Sequence, residues 1–404
     1  MHKKVLFLIL DGIADKIEKT PLQLANKPNL DLLTKNGFAG LIENDLGKHP
    51  DSGVSTYVLL GYSQEEYPGR GYLEALGIGL KPIPGSVYIR ANFATVKEIM
   101  MDKFHTGEYE PVLVVVDRRA GRDTSGLFEM SKDIKEFFLD GVRIEFYKSL
   151  GHRGVVVVNS FNISPNVSDS DPYVEGKEVK KIEPLTKDSA AEKTAAALNK
   201  FEKETYKILK EHPANRYREK PANYLLLRGA SCYRYVKSFR DKFGFDGACV
   251  AASPIVKGIA RSMEIEAIDI SGITGDSKTD LREKVLKSLD LLNTKNFVLL
   301  HIKAFDVFSH DKKPQLKRIF IEKVDREVFG RILEYCDFEK TLLVVASDHP
   351  TSSETGQHSP GVMPFLIFTK GIKKNDVEKF DEEDCKKGPL INIKDFMEEV
   401  LKFI

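Results

Sequence analysis

"TLLVVASDHPTSSETGQH" (residues 341–358) begins as an apolar run without alternation and ends as a loop carrying Asp348, His349 and His358. A run that is apolar on both faces is the pattern of a strand covered on both sides in a parallel sheet. The same texture recurs in "VLFLIL" (5–10), "NYLLL" (223–227), "ACVAA" (248–252) and "FVLLHI" (297–302). Helical periodicity separates these runs, as in "KTDLREKVLKSLDLL" (278–292) and "IFIEKVDREVFGRILEYC" (319–336). The chain therefore predicts an α/β fold, a doubly wound and mostly parallel sheet.

A different texture lies in the middle of the chain. "SVYIRANFATV" (86–96), "EPVLVVVD" (110–117), "RIEFYKS" (143–149) and "RGVVVVN" (153–159) are bounded by glycine and charged turns, as in an antiparallel sheet. This predicts an inserted α+β domain over residues 81–220, with residues 1–80 and 221–404 forming a discontinuous outer domain. The helical stretch 189–212 leads the chain back.

With 404 residues, 42% of them hydrophobic and 30% charged, the composition is that of an ordinary globular protein with room for two cores. The 61 basic and 60 acidic residues nearly cancel, which points away from nucleic acid and from an anionic membrane surface as partners. Cys232, Cys249, Cys336 and Cys385 are scattered without zinc-site or disulfide spacing, so a reducing cytoplasmic location is expected. The apolar start of the chain is too short for a leader and ends in Asp11, so it reads as a strand. No run reaches the ~20 apolar residues of a membrane helix.

Three of the strand runs end in the same chemistry. "VLFLIL" enters Asp11-Gly12, "FVLLHI" enters "KAFDVFSH" with Asp306 and His310, and "TLLVVA" enters the loop with Asp348, His349 and His358. Ligands of open α/β sheets collect outside the carboxyl ends of the strands, so these residues can converge. Asp306 and His310 share one face if their segment is helical, while adjacent Asp348 and His349 are expected to point apart and serve two centres. Aspartate and histidine with a hydroxyl make a mixed O/N donor set, suited to Mn, Zn or Fe and to two ions about 4 Å apart. Such a pair activates an oxygen nucleophile, and the turn "DSGVST" (51–56) offers Ser52, Ser55 and Thr56. Hydroxyls ahead of an apolar run ordinarily cap a helix, so this turn needs the metal site to give it a chemical role. Asp15, His2 and His49 read as structural or solvated, and His301 as a packed neighbour of the site.

"LILDGIAD", "KTPLQLANKPNLDLLTKNGFAG", the Ser52 turn with "LLGYS", "PGRGYLEALGIGL", "RANFATV", "VVVDRRAGR", "HRG", "VSDSDPYVEG", "PANYLLLRGA", "KGIA", "HIKAFDVFSHD" and "ASDHPTSSETGQHSPGVMPFLIF" occur in this order along almost the whole chain. Together they resemble the archaeal-type cofactor-independent phosphoglycerate mutases of the alkaline phosphatase superfamily. The resemblance implies an alkaline-phosphatase-like fold and interconversion of 3-phosphoglycerate and 2-phosphoglycerate through a phosphoserine, without 2,3-bisphosphoglycerate. It further implies two divalent ions, Mn first, with Zn, Co or Mg as alternatives. One would be held by Asp11, Ser52, Asp348 and His349, the other by Asp306, His310 and His358. The family usually carries G-S-D-x-A-H at the nucleophile turn, where this chain has Asp51-Ser52-Gly53-Val54-Ser55-Thr56. Ser52 keeps its distance to "LLGY" and is the expected nucleophile. A glycine also commonly stands in the family where this chain has Ser231.

A mutase must hold the glycerate while the phosphoryl group waits on serine, and arginine suits that task because its fork pairs with carboxylate and phosphate. The expected substrate contacts are Asp117, Arg118, Arg119 and Arg122 of "DRRAGR", His152 and Arg153 of "GHRG", and Lys257 of "SPIVKGIA". A metal-dependent phosphatase or phosphonate hydrolase on the same scaffold, and a non-catalytic paralogue, are the competing expectations. The small phosphoglycerate is the only partner the sequence implies, and oligomeric state leaves no trace in it.

Overall fold

The computed structural model describes residues 4–48, 50–102 and 109–404, so His2 and His49 lie outside the described residues. Fourteen strands follow one another in these segments: β1 (Lys4–Leu10), β2 (Phe38–Asn44), β3 (Val87–Met101), β4 (Glu110–Asp117), β5 (Glu136–Leu139), β6 (Val142–Lys148), β7 (Arg153–Asn159), β8 (Tyr224–Cys232), β9 (Gly247–Val250), β10 (Glu266–Ile268), β11 (Phe297–Ile302), β12 (Thr341–Ala346), β13 (Gly361–Phe368) and β14 (Leu390–Asn392). They belong to two compact units, one of Met1–Tyr67 with Val236–Ile404, the other of Pro68–Tyr235.

The first unit is built on an eight-stranded sheet of order β10-β9-β11-β1-β12-β13-β2-β14. Its pairings are parallel except at β13, which runs antiparallel to both β12 and β2. Val5–Leu10, β11 and β12 are buried throughout, which accounts for their lack of polar alternation. Register then brings the chemistry together. Leu10 pairs with Ile302 and Ile9 with both His301 and Ala346, so the residues after β1, β11 and β12 emerge side by side at one edge of the sheet.

In the second unit six strands form a sheet of order β4-β3-β7-β6-β5, with β8 pairing β3 as well. The first part of β3 is paired antiparallel by both β7 and β8, and its last part by β4. This corrects one sequence expectation, because the "NYLLL" run belongs here, antiparallel to β3, and not to the parallel sheet. The physical reason is coverage. Leu225 and Leu227 enter one apolar core of this unit while Tyr224 and Leu226 enter another, so β8 is buried on both faces and reads like a parallel strand. The helix Ser189–Lys210 packs on β8, its first turn capped by Asp188, whose Oδ1 accepts from the Ala191 N–H at 2.8 Å.

Candidate active site

Asp11 follows β1, the helix Ala304–His310 follows β11, and Asp348 with His349 follow β12. Gly12 makes the first of these turns possible. Its φ of +66° lies in the left-handed region, and a Cβ there would stand 2.6 Å from Thr351 Oγ1 and 3.0 Å from Asp306 Cβ. Its N–H donates to Asp348 Oδ1 at 3.2 Å. Asp306 and His310 share one helical face, with His310 Nε2 at 3.3 Å from Asp306 Oδ1. Asp348 and His349 do not point apart as expected, since His349 Nε2 lies 3.3 Å from Asp348 Oδ2 and 3.6 Å from Asp11 Oδ1. The chain has already left β12 at this point, so the alternation of a strand no longer applies.

Ser52 is the first residue of the helix Ser52–Leu59, and Asp51 caps that helix by accepting from the Gly53 N–H at 2.8 Å. The Ser52 hydroxyl is thereby left out of the capping and stands 2.8 Å from His349 Nε2. Ser55, three residues on, is buried and accepts from Asn44 Nδ2 at 2.9 Å. Gly53 leaves room after Ser52, since a Cβ there would meet the Tyr67 hydroxyl at 2.6 Å and Asp51 Oδ1 at 2.9 Å and displace those side-chain tips.

The three histidines are held in one tautomer. His310 Nδ1 donates to the Gly356 carbonyl at 2.7 Å and His358 Nδ1 to the Pro50 carbonyl at 2.8 Å. Thr351 Oγ1 donates to Asp306 Oδ1 at 3.2 Å and so accepts from His349 Nδ1 at 3.1 Å. Every Nε2 is left turned inward, the arrangement by which metal-ligating imidazoles are oriented. His310 Nε2 and His358 Nε2 face each other at 3.2 Å, a contact that either a shared proton or a bound cation satisfies.

Charge balance favours the cation. Asp11, Asp306 and Asp348 are all buried, and Lys303 is the ammonium placed among them, 2.8 Å from Asp11 Oδ2 and 2.9 Å from Asp306 Oδ2. Burial is the largest influence on Asp11 and Asp306 and raises both, but Lys303 together with His301 at Asp11, and with His310 and His358 at Asp306, more than offsets it and holds both carboxyls far below the usual range. Asp348 is driven the other way, well above the usual range, by burial and by the charge of Asp11. Burial and the neighbouring His358 push His349 down to about 3, so it presents a neutral lone pair. Burial works against charge on His358, yet its hydrogen bond to Asp306 raises it. Asp11 Oδ1 and Asp348 Oδ2 are buried without a hydrogen-bond partner. Donor atoms of Asp306, His310 and His358, and those of Asp11, Asp306 and His349, lie within 4.8 Å of one another in two groups. Orphaned carboxylate oxygens, inward imidazoles and excess negative charge fit divalent cations.

Lys303 and Thr351 carry no mark in the sequence reading, whereas His301 reads there as a packed neighbour of the site and Asp15 as structural or solvated. Lys303 and Thr351 touch the candidate ligands directly, and His301 Nε2 lies 3.2 Å from Asp11 Oδ2. Asp15 is buried against Lys317 at 3.2 Å and accepts from the Ser353 N–H at 3.1 Å, tying the loop after β12 to the chain after β1. Lys257 lies on the helix Pro254–Ser262 and is ion-paired with Asp269.

The other expected substrate contacts lie in the second unit. Arg118 is committed to Asp171 by a fork, 2.8 Å from Nε and 2.6 Å from Nη2, and Asp117 to Lys220 at 2.6 Å. His152 is buried, and burial with the surrounding Arg153, Arg90, Arg119 and Arg122 pushes its imidazole down to about 2, leaving it neutral. Arg90 is itself buried, 3.2 Å from Glu74, and Arg70 lies 3.4 Å from the same carboxylate oxygen. Burial, Arg228 and Arg70 all act against the Arg90 charge, so this group holds more positive charge than Glu74 balances. Arg70, Arg90, Arg228 and Glu74 lie inside stretches that carry the resemblance, but no spacing groups them, because they come from a helix and two strands joined by the Arg90–Arg228 register.

Residues 34–215 match the family model described as 2,3-bisphosphoglycerate-independent phosphoglycerate mutase. A protein of that name from Methanopyrus kandleri is 39% identical, over 96% of this chain and 93% of its own. The structure of a cofactor-independent phosphoglycerate mutase from Thermoplasma acidophilum aligns with 99% of both chains at 31% identity and a TM-score of 0.64. A Pyrococcus horikoshii protein aligns with 100% of this chain and 97% of its own, at 29% identity and a TM-score of 0.78. With identity at this level spread over nearly its full length, the chain belongs to the enzyme family of 2,3-bisphosphoglycerate-independent phosphoglycerate mutases.

Proposed function

We propose that this protein interconverts 3-phosphoglycerate and 2-phosphoglycerate by way of a phosphoserine on Ser52, at a site for two divalent ions of the Mn type. The observation that carries the reading is the Ser52 hydroxyl 2.8 Å from His349 Nε2, in a nest whose Asp11 Oδ1 and Asp348 Oδ2 are buried without partners. Asp11, Ser52, Asp348 and His349 would hold one ion, and Asp306, His310 and His358 the other. When bound, such ions neutralise phosphoryl oxygens and lower the pKa of a nearby hydroxyl.

The chain's own groups account for the rest. Ser52 Oγ gives up its proton and forms a bond to phosphorus as the bond to the glycerate oxygen breaks, and that oxygen takes up one proton in exchange. The glycerate's other hydroxyl then attacks the phosphoserine, loses its proton and restores Ser52. Position at the start of a helix, with Asp51 doing the capping, keeps the Ser52 hydroxyl available for both steps. Within the second unit the arginines around His152 are offered as carboxylate-binding groups, and within the first Lys257 as a phosphate-binding group. Arg118 and Asp117 serve this reading indirectly, by ordering the turn that carries Arg119 and Arg122.

Phosphorus NMR of the Mn-loaded protein with 3-phosphoglycerate tests the proposal, with Ser52→Ala alongside. Formation of 2-phosphoglycerate without free phosphate, lost in the variant, is the expected result. Free phosphate as the main product would make the protein a hydrolase, and an unchanged spectrum a non-catalytic paralogue.

A further inference from the structure

Lys303 stands between the last residue of β11 and the helix Ala304–His310, its side chain 13% exposed and its ammonium between two carboxylates. The two contacts divide each carboxylate in the same way. Asp11 Oδ2 accepts from Lys303 at 2.8 Å, while Asp11 Oδ1 has no hydrogen-bond partner and faces His349 Nε2. Asp306 Oδ2 accepts from Lys303 at 2.9 Å, while Asp306 Oδ1 gathers His358 Nε2 at 3.1 Å, His310 Nε2 at 3.3 Å and the Thr351 hydroxyl at 3.2 Å.

We infer that Lys303 is a positioning residue that clamps the outer oxygens of Asp11 and Asp306, so that each carboxylate offers one fixed oxygen to its own ion and the two centres are held together. The inference rests on the two-ion reading above. The physics is that of two like charges on short side chains. Without the ammonium, Asp11 and Asp306 repel each other in a low-dielectric site, Asp11 Oδ2 keeps only His301 Nε2 at 3.2 Å, and Asp306 is held from its Oδ1 side alone. A cation hydrogen-bonded to both outer oxygens removes the repulsion and fixes both oxygens at once. Loss of a group that orients metal ligands typically lowers metal affinity 10- to 100-fold. The opposite role is equally definite physically. An ammonium that only fills the place of an absent ion would compete with the metal, and its removal would tighten binding.

Titration of the full-length apoprotein with Mn²⁺, followed by electron paramagnetic resonance, separates the two. The wild type is expected to bind two ions and to show the coupled signal of a neighbouring pair. In Lys303→Met, affinity for both ions should fall together, about 10- to 100-fold, with loss of the coupled signal, and Lys303→Arg should restore most of both. Should Lys303→Met fail to fold, Lys303→Gln, which keeps a donor without the charge, is expected to show the same fall. Two ions bound to either uncharged variant with wild-type affinity or better would overturn the inference alone. A wild type that binds no Mn²⁺ would overturn the two-ion reading and the inference with it.

Discussion

Replacing Asp15 by Asn tests how the loop carrying Asp348, His349 and His358 is kept in place. Asp15 and Lys317 are both 0% exposed in their side chains and 3.2 Å apart, and Asp15 also accepts from the N–H and hydroxyl of Ser353 within that loop. Burial pushes the Lys317 ammonium below the usual lysine range, and Asp15 draws it back. Asparagine keeps the shape and removes the charge, so the buried Lys317 ammonium keeps only the Ala14 carbonyl at 3.4 Å and the charge of Glu382. Breaking a buried pair from one side costs about 3–5 kcal/mol, because desolvation of the remaining charge is no longer offset. For a unit of about 150–250 residues each kcal/mol lowers the melting temperature by about 2–4 °C, so a drop of about 6–20 °C is expected. Differential scanning calorimetry of Asp15→Asn, Lys317→Met and the double variant is the assay. The double variant should recover part of the loss, since it removes the ammonium that Asp15→Asn alone leaves buried without its ion pair. A single-variant effect below about 1 kcal/mol, or single effects that simply add in the double, would refute the reasoning.

Gly12→Ala should destabilise the fold by about 2–5 kcal/mol, from a left-handed backbone that alanine resists and a Cβ overlapping Thr351 and Asp306. Thermal unfolding reads this directly, and a change below about 1 kcal/mol would mean the turn relaxes freely. Glu202 is buried in the second unit beside Ser170 and Tyr224, and burial pushes its carboxyl from 4.5 up to about 8. Between those values the folded state keeps a proton that the unfolded chain has released. Stability therefore falls as pH rises through this window, by up to about 1.4 kcal/mol per pH unit. Glu202→Gln should flatten that slope in urea unfolding measured across the window, and parallel curves for the two proteins would count against it.

Much of the candidate site was legible because two kinds of signal are local. Uniformly apolar runs mark strands covered on both faces, and the polar residues just after β1, β11 and β12 stand at strand ends whatever the rest of the chain does. The four-residue spacing of Asp306 and His310 likewise places them on one helical face. Lys303 lies inside "KAFDVFSH", three residues before Asp306, and that spacing at the start of a helix is the signal that points to it. Thr351 had no such signal, since it acts through a loop.

From the sequence alone came the α/β class, the acids and histidines at three strand ends, and a hydroxyl turn with Ser52 as the favoured member. The class and the strand-end residues follow from periodicity and from spacing within a few residues, while the preference for Ser52 follows from the resemblance. Tertiary structure alone decided the sheet to which "NYLLL" belongs, because a strand buried on both faces looks the same in either sheet. It also decided that Asp51 takes the capping role and that Ser55 turns inward to Asn44. Lys303 between two carboxylates, and arginines gathered from a helix and two strands around Glu74, depend on register between segments far apart in the chain. Register is set by which apolar faces bury together, a property of the packed core rather than of any single stretch.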